Sequence, residues 1–218
     1  MFSIDSLSAH EQEALHGSLA CLEEIFDHEA GLIEKYYDHV CHKIIYDGGK
    51  VYATTDSARY ALLLTIIRKK TAYPLIKCII DKVIATQDTN PDSKTYGLYP
   101  YYQNYGFDKW LLPDYNWAVF IGNIFMEILE SEDFFEDELR SRINESLKLA
   151  AECIRRRNVH PEYTNIAIHS LPVLIYVGQK FDKSYLDVAR NSIRKLKETV
   201  KECGGFCEYL SSTYYGVN

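Results

Sequence analysis

The chain has 218 residues, enough for one domain with a sizeable core, and a hydrophobic fraction of 47% excludes an intrinsically disordered protein. Lys and Arg number 24 against 31 Asp and Glu, so the net charge of −7 repels phosphate backbones, and the one compact basic run, Arg155-Arg156-Arg157, is too short for a nucleic-acid groove. The N-terminus lacks a basic, then apolar, leader and no stretch reaches the roughly 18 apolar residues of a membrane span, so a soluble cytoplasmic protein with neither nucleic acid nor membrane as partner is expected.

From Ser8 to Ile45 the strings "EALHGSLACLEEIF" and "AGLIEKYYDHVCHKII" carry apolar residues at threes and fours and read as two helices, ended by "DGGK" at 47–50. "SARYALLLTII" (57–67) is apolar nearly all round, the pattern of a helix buried on every side, and "LIKCIIDKVIA" (75–85) behind it is amphipathic. The aromatic, Gly/Pro-punctuated stretch 87–117 is too long for a connector and has no strand alternation, so it is either functional or mobile. The alternation then repeats: buried "NWAVFIGNIFMEIL" (116–129), amphipathic 136–157, buried "NIAIHSLPVLIYV" (165–177), amphipathic 182–203. After the Gly-Gly pair the chain closes on "EYLSSTYYGVN", which reads as a working loop.

Links from buried to amphipathic helix are short, and those from amphipathic to buried are richer. Helices in antiparallel hairpins reverse direction at each link, so the richer connections share one end of the molecule, which becomes the candidate site. The repeating unit is a two-helix hairpin of about fifty residues. The expected architecture is all-α, a single domain over 1–218, with N-terminal helices in 1–50 and about four hairpins arranged as an inner and an outer helix layer.

Composition adds two constraints. Tyrosines number 18 against 9 Phe and 2 Trp, which suits a wet binding surface. Most of the six cysteines sit in apolar helical patterns as reduced thiols, and Cys203 and Cys207 have no second Cys pair or nearby His, so neither a metal nor another cofactor is expected.

Several strings carry a resemblance: "TTDSARYALLLTI", "QDTNPDSKTYGLYPYY", "PDYNWAVFIGNIFMEIL", "RRRNVHPEYTNIAIHSLPVLIYVGQ" and "GGFCEYLSSTYYGVN". Over about residues 54 to 218 the chain resembles a bacterial and fungal group placed near heparinase II/III-like proteins, and its helix alternation resembles the (α/α) toroid of six-hairpin glycosidases and polysaccharide lyases. The resemblance implies a carbohydrate-active protein acting on or binding an acidic oligosaccharide or other small polar ligand, lyase-like or glycosidase-like. A noncatalytic binding or scaffold module is the alternative. A complete ring would need roughly 300 residues, so a shortened, incomplete toroid is expected, with a second copy or a partner chain covering its open edge.

The candidate residues lie at the loop-rich end. His169 is the first choice for a base, four residues and thus one helix face from Asn165. Glu208 and Tyr214 of the closing motif, with Asp114, complete the catalytic set: Tyr214 as an acid for a lyase, or Asp114 with Glu208 as the carboxylate pair of a glycosidase. Asn116, Trp117, Tyr163, Asn165, Tyr209 and Tyr215 are candidate substrate contacts, and Tyr96 and Tyr99, with Tyr101, Tyr102 and Tyr105, form either a stacking platform for sugar rings or loop packing. Asp114 and Asn116 also read as helix caps, and Asp56 with Arg59 as a structural pair.

Overall fold

A computed structural model describes residues 4, 7–67, 70–130, 135–206 and 209. The chain is mostly helical with a small antiparallel sheet: α1 (Ala9–Glu24), β1 (Phe26–Asp27), β2 (Leu32–Lys35), β3 (Val51–Tyr52), α2 (Thr54–Ile67), α3 (Tyr73–Ile84), α4 (Asn116–Leu129), α5 (Asp137–Arg157), α6 (Thr164–Lys180) and α7 (Ser184–Cys203).

The six helices from α2 onward stand within three residues of the boundaries read from hydropathy. Their ends follow local chemistry. Asp137 and Glu138 open α5 and three arginines close it, each matching the partial charge of that helix end. Asn158 stops it in the left-handed region at φ 46°. α2 packs beside α4 and α4 beside α6, while α3, α5 and α7 pair with them as hairpin partners. α4 buries nine residues, among them Ile121, Phe125 and Ile128, and its Gly122 stands so close to Val173 of α6 that an added Cβ would lie 3.0 Å from that side chain. The starts of the inner helices are gathered at one end: Asn116 Nδ2 donates to Tyr163 Oη at 2.9 Å, and Thr54 N–H at the start of α2 donates to the Tyr101 carbonyl in the 85–115 connection.

The N-terminal region corrects the sequence reading. α1 forms, capped by a reciprocal Ser8–Glu11 box, but it buries no residue. The expected second helix over 30–45 is absent. Asp27 accepts the N–H groups of Glu29 and Ala30, Gly31 turns the chain at φ 65°, and Leu32–Lys35 leaves as the middle strand of a β1-β2-β3 sheet. Phe26 pairs with Ile33, and Glu34 with Tyr52. Tertiary pairing outweighs helical periodicity here because Leu32 and Ile33, consecutive in sequence, are both buried: Ile33 N–H donates to Ser57 Oγ and its carbonyl accepts from Ala53 N–H. The described residues therefore hold three helical hairpins plus a sheet-bearing segment where about four hairpins were expected, and the purely all-α class is modified to that extent.

The long 85–115 connection is neither open nor loosely attached. Asp88 is tied to Thr95, Leu98 and Gly97, Trp110 donates its Nε1–H to the Tyr105 carbonyl, and Trp110 stacks on Tyr101 with ring centres 4.3 Å apart. Tyr99, Tyr101, Tyr102 and Tyr105 are all buried. Among the described residues no helix is long and apolar enough to cross a membrane, and Cys21, Cys41, Cys78 and Cys153 are free thiols, the first three exposed.

Candidate functional site

A cavity of about 1040 Å³ opens where the sheet meets the N-terminal turns of α2 and α4. Phe26, Asp27, Glu34 and Lys35 come from β1 and β2, Tyr36, Asp38 and His42 from the segment that follows, Thr55, Asp56 and Arg59 from α2, Tyr101 and Tyr102 from the long connection, and Trp117 and Phe120 from α4. This is the loop-rich end expected from the alternation of links. The sheet supplies the wall that a further helix was expected to form.

Ion pairs order most of the charge. Asp56 accepts from Lys35 Nζ at 2.5 Å and from Arg59 Nη1 at 3.1 Å, the latter being the pair expected from their spacing. Lys50 Nζ lies 3.0 Å from Asp27 and 2.6 Å from Glu34, and Tyr52 Oη donates to Asp27. The Ala30 N–H, with Lys50 and Tyr52, holds the Asp27 carboxyl well below the usual carboxylate range, while Glu34 and Asp27 raise the Lys50 ammonium. Six carboxylates line the cavity (Glu24, Asp27, Glu29, Glu34, Asp38 and Asp56) against three permanent cations, Lys35, Lys50 and Arg59, and each of those cations already has a carboxylate partner.

His42 is the centre of the aromatic wall. Its ring stacks on Tyr101 at 4.3 Å and 16°, meets Trp117 edge-on at 5.2 Å, and brings Nδ1 to 2.8 Å from Tyr102 Oη. Tyr102 Oη also accepts the Asp38 N–H at 3.1 Å. A protonated phenol then has its hydrogen to donate to Nδ1, which leaves the neutral imidazole's proton on Nε2. Burial lowers the His42 pKa and raises that of Tyr102, so both are uncharged at neutral pH. Asp38, at the same turn, is held below its ordinary value chiefly by the Cys41 N–H. Two buried polar atoms on this wall, Thr55 Oγ1 and Trp117 Nε1, have no hydrogen-bond partner among the described residues.

The residues nominated from sequence divide into three groups. Trp117 lines the cavity. Asn116, Tyr163 and Tyr209 meet one another nearby: Asn116 accepts from Arg157 Nη1 at 2.6 Å while donating to Tyr163, and Tyr163 stacks on Tyr209, whose N–H donates to the Glu162 carbonyl. Asp114 caps the turn, accepting the Asn116 N–H at 2.9 Å, and Asn165 Oδ1 accepts the Ile166 N–H beside it. The third group is elsewhere. His169 is exposed on α6, its backbone carbonyl accepting from Asn123, and it does not line the cavity. Tyr96 lies under the Arg156 guanidinium at 4.6 Å. Tyr99 is a core residue with no exposed surface, its hydroxyl 2.5 Å from Ser146 Oγ in a buried network with Gln87, so it offers no face to a ligand. Glu208, Tyr214 and Tyr215 lie outside the described residues.

His42, Asp38 and Lys35 escaped the sequence reading because a helix over 30–45 would have scattered "EKYYDHVCH" around a cylinder. The usable signal was local: "DHEAG" before Leu32 combines an Asx-turn residue with a glycine immediately before a β-compatible pair.

No curated protein and no solved structure matches the chain. A family model described as a domain of unknown function, DUF8769, matches residues 12–218, and the chain belongs to that family.

Proposed function

We propose that this protein is a carbohydrate-active protein of the (α/α) toroid class, and that the cavity at the starts of α2 and α4 takes a short oligosaccharide. The observation that carries the reading is the combination, in one cavity, of half-buried aromatic rings with charged and polar side chains. His42 and Trp117, both half-buried, offer ring surface, with Tyr101 held behind His42 between its ring and that of Trp110, and Asp38, Asp56, Lys35 and Arg59 supply polar groups around them. Sugar rings present apolar C–H faces and hydroxyl edges, and a site that recognises them needs both kinds of surface. The volume and the strings that resemble toroid enzymes support the same reading.

Charge favours the glycosidase-like over the lyase-like version. A lyase must neutralise a uronate carboxylate before the adjacent proton can leave, and the three cations of this cavity are paired already. His42 and Tyr102 form an uncharged hydrogen-bonded pair on the cavity wall. A second reading, binding without turnover, is favoured by the engagement of Asp38 in its own turn and of Asp56 with two cations.

The test is calorimetric titration of a panel of neutral, acidic and basic oligosaccharides, with reducing-end release measured in parallel. Binding that is lost in Trp117→Ala supports the site. Failure of every oligosaccharide to bind at millimolar concentration sinks the carbohydrate reading, and binding without new reducing ends selects the module over the enzyme.

A further inference from the structure

The row of helices α2, α4 and α6 has two unfinished edges. At one, α6 and α7 leave an apolar groove of about 420 Å³ between Ile168, Leu171, Ile193, Leu196, Val200 and Phe206, with Ile168 39% and Phe206 61% exposed. α7 borders this groove with Arg190, Arg194, Lys197 and Lys201, which share one stripe of the helix because they stand four, three and four residues apart. Arg190 is paired with Asp187, whereas Arg194, Lys197 and Lys201 have no carboxylate within ion-pair distance among the described residues. At the other edge α1 leans on α2. Its Leu19 and Leu22 touch the core, yet none of its 16 residues is buried, although a helix of that length draws most of its stability from packing. Glu13 and Glu24 stand exposed on the opposite side of α1, also without an ionic partner among the described residues. Their separation along the helix equals that of Arg190 and Lys201, about 16 Å at the helical rise per residue. Gly17 between them has open space where a Cβ would be. From Met1 to Glu34 the chain carries eight Asp and Glu and no Lys or Arg.

We propose that a second copy of this chain covers the groove: α1 of one protomer lies along the α6–α7 groove of the next, with Glu13 and Glu24 against the cation stripe and the small surface around Gly17 over the apolar floor. The unpaired cations call for an acidic helix, and α1 supplies one whose outer face and two of whose carboxylates are unengaged. Two grooves laid on each other about a two-fold axis would instead set cations against cations. Because the two surfaces differ and lie at opposite edges of the row, the contact is head-to-tail, and its repetition gives a ring or an open chain of protomers. Exposed ion pairs add little by themselves, so the apolar floor supplies affinity while the charges choose the partner. Glu24 also stands at the rim of the cavity, which brings the neighbouring protomer beside its mouth.

Sedimentation velocity on the full chain tests the pairing. At low ionic strength the wild type should pass from the 25.2 kDa monomer to larger species as its concentration rises through the micromolar range. The shift should be weaker at about 1 M salt, where the Debye length is about 3 Å. Glu13→Lys with Glu24→Lys reverses one surface, and Arg194→Glu with Lys197→Glu and Lys201→Glu reverses the other. Each set should weaken self-association by roughly tenfold or more, since like charges then face each other. An equimolar mixture of the two variants should associate as the wild type does, because each reversed surface meets its opposite on the other chain. Ile168→Asp should abolish association in every combination, with helix content by circular dichroism unchanged. A wild type that stays monomeric at the highest concentration and lowest salt overturns the proposal and leaves the groove to the chain's own closing residues or to a different protein. Association that survives Ile168→Asp, or charge variants that do not restore it when mixed, overturns the pairing of α1 with this groove.

Discussion

Tyr102 Oη sits between two donors or acceptors of different kinds, 2.8 Å from His42 Nδ1 and 3.1 Å from the Asp38 N–H. The contact joins a residue of the long 85–115 connection to the segment between β2 and β3, and it fixes the imidazole against Tyr101 and Trp117. Burial is the largest influence on His42 and favours its neutral form. Asp38, Asp114 and Asp56 pull the other way, and Lys35 adds to the lowering.

A pH dependence of stability follows from that lowering. An unfolded His titrates near about 6.5, and the folded state takes up its proton only at lower pH, so between the two values the unfolded chain binds more protons. Stability from this residue is complete above about pH 6.5 and is lost as pH falls below it. His42→Gln should flatten the dependence of the melting temperature on pH over that window. An unchanged slope, or an imidazole that titrates at or above its ordinary value by NMR, contradicts the burial.

Glu152 governs a second, more acidic window. Arg155 and Arg156, with the Tyr185 hydroxyl at 3.1 Å, hold its carboxyl at about 2, and burial with Glu152 raises the Tyr185 phenol to about 12. The stabilisation is present above the unfolded value of about 4.3 and is lost as pH falls toward 2. Because Tyr185 belongs to α7 and Glu152 to α5, Glu152→Gln should lower stability at neutral pH and make unfolding by urea less pH-dependent below about pH 4. A variant with the wild-type acid limb would show that the pairs are screened away.

Much of the helical layout was legible because the buried helices and their amphipathic partners have distinct periodicities, and burial at three- and four-residue spacing depends little on distant sequence. The sheet was hidden for the opposite reason. Leu32 and Ile33 make a strand only because Ser57 and Ala53, twenty or more residues later, bond to Ile33 on both sides. The cavity takes in Trp117 among the residues singled out in the sequence, but most of its lining depended on that unread strand. Tyr99 and Tyr102, three apart in one tyrosine-rich string, illustrate the limit: one is sealed in the core by Ser146 and the other lines the cavity.

Gly97 should tolerate no side chain. It has φ 80°, and a Cβ would stand 2.0 Å from the Leu149 carbonyl oxygen of α5, a backbone atom that cannot move aside. Gly97 N–H also closes the Asp88 turn, so strain there propagates to the Gln87 bonds to the Gly97 and Ser146 carbonyls. Gly97→Ala should destabilise by more than about 1 kcal/mol in urea unfolding. Wild-type stability would mean the connection is not seated on α5.

Asn116 should matter as a clamp. It is 7% exposed and joins the start of α4 to Arg157 at the end of α5 and to Tyr163 at the start of α6. Asn116→Ala leaves both partners short of a bond and should cost about 1–3 kcal/mol. A double-mutant cycle with Tyr163→Phe should give a coupling of at least about 0.5 kcal/mol, and additive losses would show that the two side chains act independently.

Thr55→Val separates folding from binding most sharply. Valine keeps the shape of threonine and removes only the hydroxyl, whose oxygen is buried without a partner among the described residues. The folded protein carries the hydroxyl's desolvation penalty, about 1–3 kcal/mol for a buried unsatisfied group, and the valine variant should be more stable than the wild type by some part of that amount. The same change should leave saccharide binding in place, because the oxygen has no surface open to the cavity. Stability therefore rises while affinity holds, an outcome that neither a general packing defect nor the loss of a ligand contact produces. Calorimetry of the free protein and titration with the tightest-binding oligosaccharide measure the two effects separately. A valine variant that loses stability would mean that the hydroxyl is already satisfied within the fold, and one that loses affinity would place Thr55 among the ligand's contacts.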